Sequence, residues 1–301
     1  MVSLILILLA SVFFMGIIVR TKSMTSGRKG PGLLQPMKDI LRLLKKGSVY
    51  SKTTSLIFKI APTAYLASVL MAILMVPYGS IPGIISFDGD FVMFAYILAL
   101  GKFMIIISAL DTGSSFEGMG ASRESLFSML AEPAFFILMG SFALFTDQTS
   151  FESIFSLLHF GSNISYMLGA LATIVIVLIA MIENSRMPFD DPKTHLEITM
   201  VHEVMILDNS GFDLGLITYT TNLKFAMYGA LIANLFVGQW PLGFSIPFFF
   251  VVQLLFAIVV GLIESFRARY RMGHNPQYIF ILSSLALLIF FGILLLTGKF
   301  I

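Results

Sequence analysis

The sequence predicts an all-α integral membrane protein of about eight transmembrane helices, and three observations predict it. Hydrophobic residues make up 57% of the 301 residues and charged residues 12%, against about a quarter charged in an ordinary soluble domain. The apolar residues fall into blocks of roughly 18 to 23, the length a helix needs to cross about 30 Å of hydrocarbon. When the chain is threaded back and forth through these blocks, its cations collect on one side. The expected spans are about 2–19, 60–78, 91–110, 123–145, 164–182, 223–240, 245–264 and 278–297, forming a single transmembrane domain over 1–301.

The first span lacks a basic leader and a small-residue cleavage site, so it reads as a retained anchor. The segment after it carries Arg20, Lys22, Arg28, Lys29, Lys38, Arg42, Lys45, Lys46, Lys52 and Lys59, and the positive-inside rule puts it in the cytoplasm. Arg123, Arg186, Lys193, Lys224, Arg267, Arg269 and Arg271 then fall on the same side. Lys299 is left outside, Lys102 lies within a span, and both termini are expected outside.

Within that first inner segment, "GLLQPMKDILRLLKK" (Gly32–Lys46) places Leu33, Met37, Ile40, Leu41 and Leu44 on one helical face. Gln35, Lys38, Asp39 and Arg42 supply polar and charged positions beside it, as in a basic amphipathic helix lying in the interface. The outer loop 147–163 has room for a small interfacial helix. The inner segments 111–123 and 183–222 are polar, and "THLEITMVHE" reads as a short helix within the second of them. The polar weight is therefore expected on the cytoplasmic face.

Composition also excludes chemistry. There are no cysteines, so no thiolate-ligated iron–sulfur cluster and no disulfide. His159, His195, His202 and His274 all lie outside the apolar blocks, which argues against the axial ligand pairs of a membrane cytochrome. His202-Glu203 lacks the second histidine of a zincin motif. With no Gly-rich phosphate loop and no nucleophile–base set, the chain is expected to bind no cofactor and to catalyse no reaction alone. Nothing points to nucleic acid.

Ionisable groups within the bilayer carry the functional signal, since each costs a few kcal/mol or more to place there. Lys102 lies nine residues before Asp111, and Glu132 nine residues after Arg123. At 1.5 Å per residue both sit roughly 13 Å deep on consecutive antiparallel helices, so a Lys102–Glu132 pair is geometrically allowed. Pro133 should kink the span and free the Met129 carbonyl, a natural place for water. Glu183 closes the fifth span, and Glu197 and Glu203 follow in the loop. Together Lys102, Asp111, Glu132, Glu183, Glu197 and Glu203 mark a candidate ion path. Any single loop carboxylate reads more simply as a solvated surface charge.

At this point the motifs become recognisable. "ENSRMPFDDP" (Glu183–Pro192) resembles the E-x-x-R-x-P-F-D-x-P signature of respiratory complex I subunit 1, the H subunit of bacterial NADH–quinone oxidoreductase. "GPGLLQPMKD" (Gly30–Asp39), "APTAYLASVLMAILMVP" (Ala61–Pro77) and "GASRESLFSMLAEP" (Gly120–Pro133) resemble three further segments of that family, in the same order. "ALDTGSSFEGMGASRES" (Ala109–Ser125) and "DDPKTHLEITMVHEVMILDNSG" (Asp190–Gly211) are similar to the membrane subunits of formate hydrogenlyase and other energy-converting group 4 nickel–iron hydrogenases.

The resemblance implies an ion-translocating (H⁺ or Na⁺) membrane subunit that anchors a soluble redox arm in a prokaryotic cytoplasmic membrane. A nickel–iron site and iron–sulfur clusters would sit in hydrogenase-like large and small partner subunits on the cytoplasmic face, with antiporter-like membrane subunits alongside. It implies a docking and coupling loop containing Arg123, Arg186, Pro188, Asp190, Asp191, His195 and His202. Quinone-reactive members are typically acidic just after the second proline of the signature, where this chain has Lys193 and His195. Two other readings stand beside the first: a quinone-binding subunit of an NADH–quinone oxidoreductase, and a free-standing secondary transporter. Against the transporter, the spans lack the paired broken segments of inverted repeats.

Overall fold

Each predicted span coincides with a helix in the computed structural model, which describes residues 1–158, 163–191, 199–237 and 240–297. The helices are α1 (Val2–Thr25), α2 (Gln35–Leu44), α3 (Leu56–Met75), α4 (Asp90–Asp111), α5 (Ser115–Thr146), α6 (Phe151–Leu157), α7 (Asn163–Glu183), α8 (His202–Met205), α9 (Gly211–Val237), α10 (Leu242–Phe266) and α11 (Asn275–Thr297). A 3-10 turn, Met272–His274, precedes α11, and the described residues form no strand beyond one isolated bridge, Tyr78 to Ile81. Among the described residues six helices are long and apolar enough to cross a membrane: α1, α3, α4, α5, α10 and α11. The chain is an all-α, multi-pass membrane protein.

α9 is the central pillar, packed by α1, α2, α3, α7 and α10. Almost every residue from Gly215 onward is buried, as expected of a helix enclosed on all sides. Phe225 from α9 stacks on Phe14 of α1 at 5.4 Å, and Phe256 of α10 closes on Phe14 at 5.2 Å. α3 pairs with α4 and α5 with α11, while α2 lies against the first turns of α9. There Leu43 and Leu44 approach Gly215 closely. Ile40 is the buried residue of α2, and Leu41, also on the apolar face, is exposed. The expected interfacial helix in the 147–163 loop is α6, whose first amide donates to Asp90 Oδ1 at 2.7 Å.

Several expectations need correcting. α5 begins at Ser115, eight residues before the predicted start, because its first turns bury Glu117 and Glu124 in protein rather than in lipid. α9 begins at Gly211, not near 223, so Lys224 lies in the middle of a helix and not in a cytoplasmic loop. Pro133 lies within α5, on its exposed side. Of the short helix expected in "THLEITMVHE", residues 194–198 lie outside the described residues, 199–201 are not helical, and 202–203 open α8. Lys193, His195, Glu197 and the 238–239 end of the sixth predicted span lie outside the described residues.

Candidate functional site

Four charged side chains meet inside the bundle. Gly101 sets up the first of them. A Cβ there would lie 1.9 Å from the Ser68 hydroxyl, so its absence lets α3 and α4 close together, which presents neighbouring Lys102 to α5 and α7. Lys102 Nζ lies 2.8 Å from Glu124 Oε1 and 3.1 Å from Glu183 Oε2. From α9, Lys224 Nζ reaches the same Glu183 oxygen at 3.0 Å and donates to the Glu183 carbonyl at 3.2 Å. Ser185 Oγ donates to Glu124 Oε2 at 3.1 Å.

The four ions are almost dry: relative exposure is 7% for Lys102, 1% for Glu124 and 0% for Lys224. Burying a lone ion costs several kcal/mol, and alternation of sign is what makes such a cluster tolerable. Lys224 also sits 5.9 Å over the Tyr65 ring.

The Lys102–Glu132 pair that the spacing allows does not form, and helix register explains it. Glu132 lies eight residues beyond Glu124, roughly 12 Å further along α5. Counted from the true start of α5, Glu124 occupies the depth that the sequence pattern assigns to Glu132. Glu132 instead lines a cavity of about 30 Å³ with Lys102, Glu183, Tyr228, Phe94 and Phe135, enough for one or two waters. A second cavity, of about 10 Å³, also reaches Lys102. It is lined by Tyr65, Lys102, Ile105, Glu124, Glu183, His202 and Met205.

The loop residues fold back onto the bundle. Arg186 is buried, with Nε 2.6 Å from Glu264 Oε1 and its guanidinium over the Phe225 ring; Lys22 joins Glu264 at 3.5 Å. Asp190, 1% exposed, accepts from the amides of Val201 and His202 at 3.2 and 3.0 Å and pairs with Arg269 at 2.7 Å. Arg269 donates in turn to the Thr199 carbonyl, and Arg123 to the Met200 carbonyl at 3.0 Å. Burial pushes the Asp190 carboxyl up from its ordinary value, while the His202 amide and Arg269 favour its charged form. Pro188 is buried, and its carbonyl accepts from the Tyr270 amide. Asp191 is half-buried.

This clamp seats α8 on α5. A Cβ on Gly120 would lie 2.5 Å from Val204 Cγ1 and 2.9 Å from the Val201 carbonyl oxygen, so only glycine admits α8 at this distance. Glu117 takes the Asp208 amide at 2.9 Å, and Asp111 the Ser55 amide at 2.7 Å, both as loop anchors. Glu203 is half-buried on α8. Gln35 and Arg42 bond Asp39 on the exposed side of α2, away from the ion cluster, and Lys38 is exposed beside them. Arg269→Ala should leave buried Asp190 unpaired at a cost of about 3–5 kcal/mol and loosen 199–205, read as faster amide exchange there. Losing Arg269 raises the Asp190 carboxyl further, so the deficit should shrink as pH falls and that group protonates.

Glu124, Lys224 and Tyr65 are the site residues that sequence reasoning missed. Their signal was weak because Glu124 and Lys224 look like loop charges at span ends. Among the described residues, no group of His, Asp and Glu is arranged to hold a metal ion.

Residues 1–296 match the family model described as NADH dehydrogenase. Hydrogenase-4 component C of Escherichia coli K12 is 30% identical over 233 residues, covering 77% of this chain and 73% of that protein. Formate hydrogenlyase subunit 4 of the same organism is 26% identical over 258 residues, 83% of each. The H subunit of NADH-quinone oxidoreductase from Wolbachia pipientis is 23% identical over 300 residues, 90% of this chain and 86% of that one. A chain of the membrane-bound sulfane sulfur reductase, an archaeal respiratory membrane complex, superposes with a TM-score of 0.80 at 19% identity, over 96% of both chains, so the fold is shared. With the family model matched over nearly its whole length, the chain belongs to the NADH dehydrogenase family, the membrane proteins related to subunit 1 of respiratory complex I.

Proposed function

We propose that this chain is the anchor and ion-translocating subunit of a multi-subunit, energy-converting hydrogenase or formate hydrogenlyase-type complex. The observation that carries the reading is a charge inventory at membrane depth. Lys102 and Lys224 balance Glu124 and Glu183, and Glu132 stands beside them as a third carboxylate, with no ammonium of its own among the described residues. A buried cluster that is neutral without Glu132 makes that group the one whose charge must change with an ion's arrival or departure. The adjoining cavity supplies a route for water between Glu132 and Glu183.

The cytoplasmic loops connect this cluster to a docked arm. Charge arriving near the loop between α7 and α9 acts on Asp190 and His202, and the Arg269 clamp holds α8, which His202 opens, against α5 and so close to Glu124. A low-dielectric setting magnifies the effect, and each unit of altered proton affinity corresponds to about 1.4 kcal/mol. The nickel–iron site and iron–sulfur clusters belong to the soluble partners, and antiporter-like subunits flank the chain in the cytoplasmic membrane. The eight helices of one domain, 1–301, run with both termini outside.

Purification in mild detergent with identification of the bound partners tests this. A large subunit bearing paired CxxC motifs is the expected result. A large subunit without those cysteines would move the assignment to a quinone or another acceptor. A chain that purifies alone, with ion transport intact, would sink it.

A further inference from the structure

We infer that the chain holds one anionic glycerophospholipid, with an acyl chain in a slot between α7, α9 and α10 and its phosphate on Arg267. The slot has a volume of about 500 Å³ and is lined by Ile174 and Leu178 from α7, Ile232 from α9, and α10 from Phe248 to Ile263. α7 and α10 barely touch each other, which is what leaves it open. Its one polar side chain, Thr173, donates to the Gly169 carbonyl at 2.8 Å, so no side chain in it seeks a hydrogen bond. Ile174, Leu255 and Val259 are exposed, and the slot therefore opens sideways onto hydrocarbon.

Shape selects a hydrocarbon chain over a helix. From Phe248 to Ile263 α10 rises roughly 22 Å. Spread over that length, the volume gives a section of roughly 20–25 Å², whereas a helix about 10–12 Å across needs several times that. Hydrocarbon gains little on leaving lipid for an apolar protein surface, so the headgroup decides which lipid stays. One turn past Ile263, α10 ends at Arg267, whose amide donates to the Ile263 carbonyl at 2.9 Å. The four-residue spacing of Leu255, Val259, Ile263 and Arg267 puts all of them on one face. Arg267 and Arg271 are exposed, and among the described residues neither meets a carboxylate. The nearby acids are already taken: Glu264 holds Arg186 and Lys22, and Asp190 holds Arg269. Two free guanidiniums outweigh the partial negative charge at the end of α10, and a guanidinium fork suits phosphate oxygens. At the far end of the slot, Trp240 packs on Phe248 at 5.1 Å, where the tail would stop.

The test uses the full chain in nanodiscs of phosphatidylcholine, with or without one part in five phosphatidylglycerol. Phosphatidylglycerol is expected to raise the melting temperature on the order of 5 °C, and native mass spectrometry to find one molecule retained. Arg267→Gln should abolish the difference between the two compositions, while Lys52→Gln, at another exposed cation, should keep it. Val259→Trp and Ile174→Trp, which fill the slot from opposite walls, should each expel the lipid and make the two compositions alike. Absence of any preference in the wild-type chain overturns the inference, as does a preference that survives Arg267→Gln or both tryptophans. The chain has no cysteine, so Val259→Cys gives it a single thiol within the assembled complex. Cross-linking of that thiol to a partner subunit would put protein in the slot and overturn the inference too. Labelling of 248–263 by a photoreactive phosphatidylglycerol is the expected result.

Discussion

Lys102→Met is expected to cost about 3–5 kcal/mol, because it leaves Glu124 and Glu183 buried with one ammonium between them. In detergent this should appear as a fall in melting temperature on the order of 10 °C, and ion transport should be lost with it. Lys102 bonds both carboxylates, and among the described residues no other cation pairs with Glu124. The double variant Lys102→Met/Glu124→Gln restores charge balance and should recover most of the stability, although not the transport. A thermodynamic cycle over the two positions then gives the coupling between them, which for contacting ions exceeds the error of additivity. A single variant as stable as the wild-type protein would show that the cluster is not the dry, alternating arrangement described above.

The contrast between these residues explains what was legible in the sequence. Helix positions could be read because hydrocarbon imposes a length and disfavours charge, and the predicted spans of α1, α3 and α11 obey both constraints. The constraint fails where protein replaces lipid. α9 is enclosed by five neighbouring helices, so its first half tolerates Asp213, Asn222 and Lys224, and a rule built on lipid exposure starts the span too late. The first turns of α5 were lost for the same reason, since Glu117 and Glu124 are satisfied by the Asp208 amide and by Lys102.

The same error displaced the site by two turns. Depth counting correctly singled out Lys102 and required a carboxylate nine residues into the next helix, but it counted from Arg123 rather than Ser115. Glu183 was identified at a span end, yet its role as the acceptor shared by two lysines depends on α7, α4 and α9 converging, and no local pattern records that. The loop signature was recognisable as a motif, whereas its physical work is internal: Arg186 and Asp190 bond Glu264 and Arg269 and so shape the underside of the bundle.

Glu132→Gln isolates ion movement from stability, because among the described residues Glu132 holds no ion pair whose loss would unbalance the cluster. Its amide replacement keeps size and hydrogen bonding and removes only the capacity to change charge. Redox turnover with detached electron acceptors is expected to stay within about twofold of wild type, while ion movement per turnover falls at least about tenfold, the smaller end of what one positioned proton-transfer group contributes. The melting temperature should be unchanged or raised, since a carboxylate in a membrane-depth cavity is costly and a neutral amide less so. Glu132→Asp should recover part of the transport, limited by a carboxylate drawn back by one methylene. The cavity around it, bounded by Phe94, Phe135 and Tyr228, has room for a water to span that gap. Full coupling in Glu132→Gln would instead place the mobile charge on the Lys102–Glu124–Glu183 cluster itself, and the uncompensated carboxylate would then be a passive member of the path.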